Sequence, residues 1–142
     1  MDGPFSRIWA VPRILVIDDQ PHVRASIVLA LQANGHEAVG AEDASAGLRE
    51  FQGSRFDLAM VDVYMPGTDG VTLIKALRER SPALPIIAMS GVLLNDSQHT
   101  ALEFLPKLPS LAGVVCLQKP FRPPELLKAI DAAFALSAYA DE

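Results

Sequence analysis

Four short runs of uninterrupted apolar residues, each closed by a polar group, set the rhythm of this sequence. Ile14 to Ile17 runs into Asp18-Asp19, Leu58 to Val61 into Asp62, Ile86 to Met89 into Ser90, and Val114 to Leu117 into Gln118-Lys119-Pro120. Apolar runs of this length without alternation suit strands buried on both faces, as in a parallel sheet. Between them, apolar residues recur at helical spacing. Val23, Ile27, Ala30 and Leu31 follow Pro21, which is favourable at a first helical position because the N–H it lacks would be unbonded there. Asn34-Gly35 then supplies a C-terminal stop. Ala44, Leu48 and Phe51 follow a capping Asp43. Val71, Leu73, Ile74 and Leu77 follow Asp69-Gly70 and stop near Ser81-Pro82, and Leu127, Ile130 and Phe134 follow Arg122-Pro123-Pro124. His36 to Ala41, with charged and small residues, suits an edge strand. Strands alternating with helices predict an α/β domain with a parallel sheet, right-handed crossovers and helices on both faces. One stretch breaks the rhythm. After Ser90, Asn95-Asp96-Ser97 offers capping chemistry and Ala101, Leu102 and Leu105 could line a helix, but Pro106 and Pro109 forbid a regular continuation.

A chain of 142 residues is enough for one domain with a full core and not comfortably for two. The pattern divides it into a leader at 1–12, one domain at 13–136 and a tail at 137–142. Half the residues are apolar and 20% charged, a balance that excludes disorder. The net charge of −5 provides no basic surface, so direct nucleic-acid binding is not expected. The single cysteine, Cys116, rules out an internal disulfide, fits a reducing compartment and is expected to be a small buried hydrophobe. No apolar run approaches the roughly 18 residues of a membrane span. The leader lacks a sustained apolar core and does not read as a signal peptide, so a cytoplasmic location is expected. His22, His36 and His99 have no metal-ligand spacing.

A parallel sheet brings the carboxyl ends of its strands to one edge, where ligands bind. Asp18, Asp19, Asp62, Ser90 and Lys119 would then meet. Two carboxylates about 4 Å apart repel by roughly 4 kcal/mol at an effective dielectric near 20, so three of them call for compensation. A hard divalent cation with oxygen ligands supplies it, and Mg²⁺ commonly takes one or two carboxylates, waters and a phosphate. Lys119 adds a compact positive charge. Metal, ammonium and serine hydroxyl converging beside a carboxylate are the parts needed to transfer a phosphoryl group onto it. The transition state spreads negative charge over its equatorial oxygens, so catalysis is mostly positioning and electrostatics. Singly, each residue has a plainer explanation: a solvated helix start for Asp18-Asp19, an N-cap for Asp69, a surface lysine for Lys119. Coincidence at four strand ends lifts the set above that.

The motifs that carry this chemistry are Leu15-Val16-Ile17-Asp18-Asp19, Asp62-Val63-Tyr64-Met65-Pro66-Gly67-Thr68-Asp69-Gly70, Met89-Ser90-Gly91 and Leu117-Gln118-Lys119-Pro120-Phe121. In this order they resemble the receiver domain of two-component response regulators, over roughly Arg13 to Phe134. The resemblance implies a flavodoxin-like, doubly wound sheet of five parallel strands in the order 2-1-3-4-5. It implies that Asp62 is the phosphoacceptor and that Asp19, Asp62 and the backbone carbonyl of Tyr64 hold Mg²⁺, with Asp18 acting largely through water. Ser90 would bond a phosphoryl oxygen and move on activation, Lys119 would pair with the phosphoryl group, and Gly91 would leave room beside it. The Lys119-Pro120 bond would be cis. The implied partners are a histidine kinase or histidine phosphotransfer protein as donor and a downstream protein effector, with homodimerisation open. Such a module carries out only its own phosphorylation and dephosphorylation and is not a turnover enzyme on a separate substrate.

Two features depart from the family pattern. Cys116 stands three residues before the lysine, where the family usually has Tyr or Phe, and the stretch from Ser90 to Lys119 is longer than usual and holds two prolines. That stretch forms the face through which such domains commonly signal or dimerise. Tyr64 and Val92, each two residues beyond a site residue, are expected to restrict the attacking water and lengthen the phosphate's life. Three other readings compete. A degenerate receiver could act as a docking module without phosphorylation. An aspartyl phosphatase of the dehalogenase-like family would need a second Asp where this chain has Tyr64. A nucleotide or flavin carrier would need a Gly-rich loop after the first strand, and none is present.

Overall fold

Three of the four uninterrupted apolar runs, at 14–17, 58–61 and 86–89, form the middle of a parallel sheet, and the fourth, at 114–117, forms one of its edges. The computed structural model describes residues 11–91 and 111–140. The elements are β1 (Arg13–Ile17), α1 (Pro21–Ala33), β2 (Glu37–Ala41), α2 (Ala44–Gly53), β3 (Leu58–Asp62), β4 (Tyr64–Met65), β5 (Thr68–Asp69), α3 (Gly70–Arg80), β6 (Ile86–Ser90), β7 (Val115–Gln118) and α4 (Pro123–Ala140). Five strands form one sheet in the order β2-β1-β3-β6-β7, and every neighbouring pair in it is parallel. Counting only these strands, this is the expected order, and the weak strand β2 lies at an edge. β4 and β5 form a separate small antiparallel pair around Pro66-Gly67. The leader through residue 10, Val92 and the proline-broken stretch before β7 lie outside the described residues.

Strand residues alternate between two cores because successive side chains point to opposite faces. Ile14, Val16, Leu58, Met60, Ile87 and Met89 pack with Ile27 and Leu31 of α1 and with α4. Leu15, Ile17, Ala59, Val61, Ile86 and Ala88 pack on the other face with Leu73, Ile74 and Leu77 of α3, and Leu48 and Phe51 of α2 are partly buried against them. Helix starts follow the expected capping chemistry. Asp43 Oδ1 accepts from the Ala46 N–H at 2.8 Å, and Asp69 Oδ1 accepts from the Val71 N–H at 3.0 Å. Near the end of α3, Arg78 donates to the carbonyls of Leu84 and Ala112, both at 2.9 Å, which ties the helix to the loops beside β6 and β7.

Two local expectations change. The buried face of α4 is Leu126, Ala129, Ile130 and Ala133, while Leu127 and Phe134 are only partly buried. Leu126 and Ile130 fill the contact together with the small Ala129 and Ala133, so the stripe facing the sheet is set one residue away from Leu127 and Phe134. Helix α4 runs through Ala140. Cys116 is exposed and not a buried hydrophobe. It lies on β7, the outer strand of the sheet, where alternation turns one face outward. Partial desolvation still pushes its thiol pKa up.

Ile87, fully buried in a central strand, gives a test of this packing. Ile87→Ala is expected to cost about 3 kcal/mol in urea unfolding. Leu29→Ala, at a side chain 65% exposed on α1, is expected to change stability by less than about 0.5 kcal/mol.

Candidate functional site

Among the described residues, the buried polar side chains are Asp18, Asp62, Ser90 and Lys119. All four sit at or just past the carboxyl ends of β1, β3, β6 and β7. The strand pairing fixes this meeting: Ile17 lies beside Val61, Asp62 beside Met89, and Ser90 beside Gln118. The residues that end the four apolar runs are therefore neighbours in space because the runs themselves are in register. Asp19, one step further out, is only partly buried.

The Lys119 ammonium holds the centre. Its Nζ donates to Asp18 Oδ2 at 2.5 Å and to Asp62 Oδ2 at 3.1 Å. The remaining oxygens of these two carboxylates are also bonded. Asp18 Oδ1 accepts from the Gln20 N–H at 2.9 Å, and Asp62 Oδ1 accepts from the Tyr64 N–H at 3.0 Å. Such charge-assisted bonds are roughly twice as strong as neutral ones. The Lys119 backbone N–H donates to the Ser90 carbonyl at 2.7 Å, and the Lys119-Pro120 bond is cis, as the resemblance implies. The carboxylates of Asp18, Asp19 and Asp62 bring ligand oxygens within 4.8 Å of one another. Three carboxylates against one ammonium leave an excess of negative charge, with oxygen donors only and one partly exposed member. That donor set fits a hard divalent cation such as Mg²⁺.

The loop after β3 is shaped by two glycines. Gly67 adopts φ 71°, in the left-handed region, at the tip of the β4–β5 turn. A Cβ on Gly70 would lie 2.3 Å from Val63 Cα, so only glycine allows the chain to close back on Val63. This closure keeps the Tyr64 backbone against Asp62. Gly91 serves a purpose the sequence did not reveal. A Cβ there would come within 3.2 Å of Lys119 Cδ, so the bare backbone makes room for the lysine stem.

Arg24 was absent from the expected set. Its Nη1 donates to the Asp18 carbonyl at 2.8 Å. A signal was available, since Arg24 is the one Asp, Glu, Lys or Arg in the α1 sequence. A groove of about 520 Å³ also opens beside Lys119, between α1 and α4, with Val23, Ile27, Phe121 and Leu126 in its walls.

Comparison with known proteins agrees with this geometry. The sequence model of the family described as "Response regulator receiver domain" matches residues 14–131. FixJ of Bradyrhizobium diazoefficiens is 32% identical over 120 residues, covering 84% of this chain and 55% of that protein. PrrA of Mycobacterium tuberculosis is 35% identical over 92 residues, covering 65% of this chain and 40% of that protein. The chain thus spans about half or less of the length of these relatives. Among solved structures, the chemotaxis protein CheY4 of Vibrio cholerae superposes with a TM-score of 0.74 at 28% identity, covering 87% of this chain and 99% of that one. TrrA of Thermotoga maritima, in complex with Mg(2+)-BeF, gives a TM-score of 0.71 at 25% identity, with 87% and 99% covered.

Lys119→Ala should expose the electrostatics directly. It leaves buried carboxylates without their counter-charge, a change that typically costs about 3–5 kcal/mol. The expected outcome is a lower melting temperature in metal-free buffer, with a larger recovery on adding Mg²⁺ than the wild type shows. Equal melting temperatures in metal-free buffer would contradict this account.

Proposed function

The chain belongs to the response regulator receiver domain family of two-component signalling, and on that premise we propose that Asp62 is its phosphoacceptor. Receiver domains are signalling modules, and here the observation that carries the residue-level reading is the Lys119 ammonium shared between buried Asp18 and Asp62. The shared ammonium holds both carboxylates at fixed positions in the pocket, with Asp62 at the end of β3.

Asp19, Asp62 and the Tyr64 backbone carbonyl would hold Mg²⁺, with Asp18 contributing through water. Bound there, the ion supplies charge neutralisation for phosphoryl oxygens. The donor is a phosphohistidine on a histidine kinase or phosphotransfer protein. One Asp62 oxygen attacks phosphorus, an O–P bond forms, and the P–N bond to the donor imidazole breaks with its electron pair returning to nitrogen. Lys119 pairs with the transferred group and so exchanges one anionic partner for another within the same pocket. Ser90, buried at the end of β6, bonds a phosphoryl oxygen. The nearby fold of TrrA in complex with Mg(2+)-BeF supports a site of this kind taking a metal and a fluoride-bearing anion together. The output passes to a downstream protein effector by contact, and the receiver unit is assigned to 13–136.

Intact-mass spectra after incubation with acetyl phosphate test the proposal. One phosphoryl adduct is expected with Mg²⁺, none without it, and none in Asp62→Asn. An adduct that persists in Asp62→Asn, or no wild-type adduct although Mg²⁺ binding is confirmed by calorimetry, would overturn it. The same variant carries a second expectation. Asp62→Asn removes one repelling charge while Lys119 keeps Asp18, so its melting temperature in metal-free buffer should rise above the wild type's.

A further inference from the structure

Asp18 is held at every polar atom it has. Its N–H donates to the Ala41 carbonyl at 3.1 Å. Its carboxylate oxygens accept from Gln20 N–H and Lys119 Nζ, and its carbonyl accepts from Arg24 Nη1 at 2.8 Å. Asp19 is the opposite case: among the described residues its carboxylate makes no hydrogen bond. The direction in which Asp19 points is therefore set by its backbone, and the peptide joining Asp18 to Asp19 is the one whose carbonyl Arg24 holds.

Arg24 reaches that carbonyl from the first turn of α1, its stem directed back toward the helix N-terminus as helical side chains are. The stem crosses Gly40 on the edge strand β2. A Cβ on Gly40 would lie 3.1 Å from both Cγ and Cδ of Arg24. Glycine inside a strand weakens it and commonly marks a close approach by another part of the chain. Gly40 has no left-handed φ to explain it, so the room it leaves for Arg24 accounts for it.

We infer that Arg24 is a positioning residue for Asp19, acting through the Asp18–Asp19 peptide, and that Gly40 is glycine to admit the Arg24 stem. The inference rests on the reading of Asp19 as a Mg²⁺ ligand. Residues that orient metal ligands typically change metal affinity by about 10–100-fold when removed.

The test is Mg²⁺ titration by calorimetry on folded wild type, Arg24→Ala, Gly40→Ala, the double variant and Asp19→Asn. Arg24→Ala is expected to weaken Mg²⁺ binding by about 10-fold. The ratio is expected to persist in 1 M salt, where a Debye length of about 3 Å removes general electrostatic attraction. Gly40→Ala is expected to weaken binding by a smaller factor, and that loss is expected to vanish in the double variant, where the stem it would displace is gone. Wild-type affinity in Arg24→Ala, a ratio that disappears at high salt, or a Gly40→Ala loss that survives in the double variant would each overturn the inference. Should Arg24→Ala fail to fold, wild-type affinity in Gly40→Ala would overturn it alone. Asp19→Asn separates the two readings. If it binds Mg²⁺ as the wild type does, the metal-site assignment falls and this inference falls with it. If it loses binding while Arg24→Ala does not, the inference alone is wrong.

Discussion

A single ammonium shared between two buried carboxylates is the interaction on which the rest of this structure depends. Lys119 lies 101 residues from Asp18 and 57 from Asp62 along the chain, yet it joins the ends of strands β1 and β3 to the segment leaving β7. Desolvating three such charges is expensive unless their geometry and remaining hydrogen bonds are nearly complete. Here the Gln20 and Tyr64 N–H groups fill the other carboxylate oxygens, and only Asp19 keeps its oxygens uncommitted. The pocket is thus closed electrostatically at its floor and open at its rim, where a cation or an incoming phosphoryl group would approach.

The sheet provides the floor. Its central strands are apolar on both faces, so register is fixed by packing over the full length of each strand, and the polar residues at their ends are carried into place. Gly70 and Gly91 add two points of close approach, one between backbone and backbone and one between backbone and the lysine stem. In both places the missing side chain is the functional feature.

Most of this architecture was legible in the sequence. Uninterrupted runs such as Leu58 to Val61 identified the central strands, and Asp43 and Asp69 marked helix starts where their side chains cap them. The meeting of Asp18, Asp62, Ser90 and Lys119 was legible because each lies at or just past the end of an apolar run, a signal that depends only on strand polarity in a parallel sheet. What was not legible depended on packing between elements distant in sequence. The buried face of α4 is Leu126, Ala129, Ile130 and Ala133, and small alanines on that face are a weak signal in hydrophobic spacing. Cys116 is exposed on β7, which among the described residues lies at the edge of the sheet, a fact of topology rather than of local composition. Arg24 was missed because its partner is a backbone carbonyl, which no residue type announces; its mark in the sequence was being the one Asp, Glu, Lys or Arg of α1.

The order of the strands along the chain has a consequence for how the protein is made. β1 pairs with both β2 and β3, so three of the five strands have their partners before the segment that carries Lys119 is made. Asp18 and Asp62 are borne by neighbouring strands, while the lysine that bridges them comes last of the three along the chain. The final strand therefore completes the charge balance of the domain in the same step that completes its hydrogen-bonded sheet.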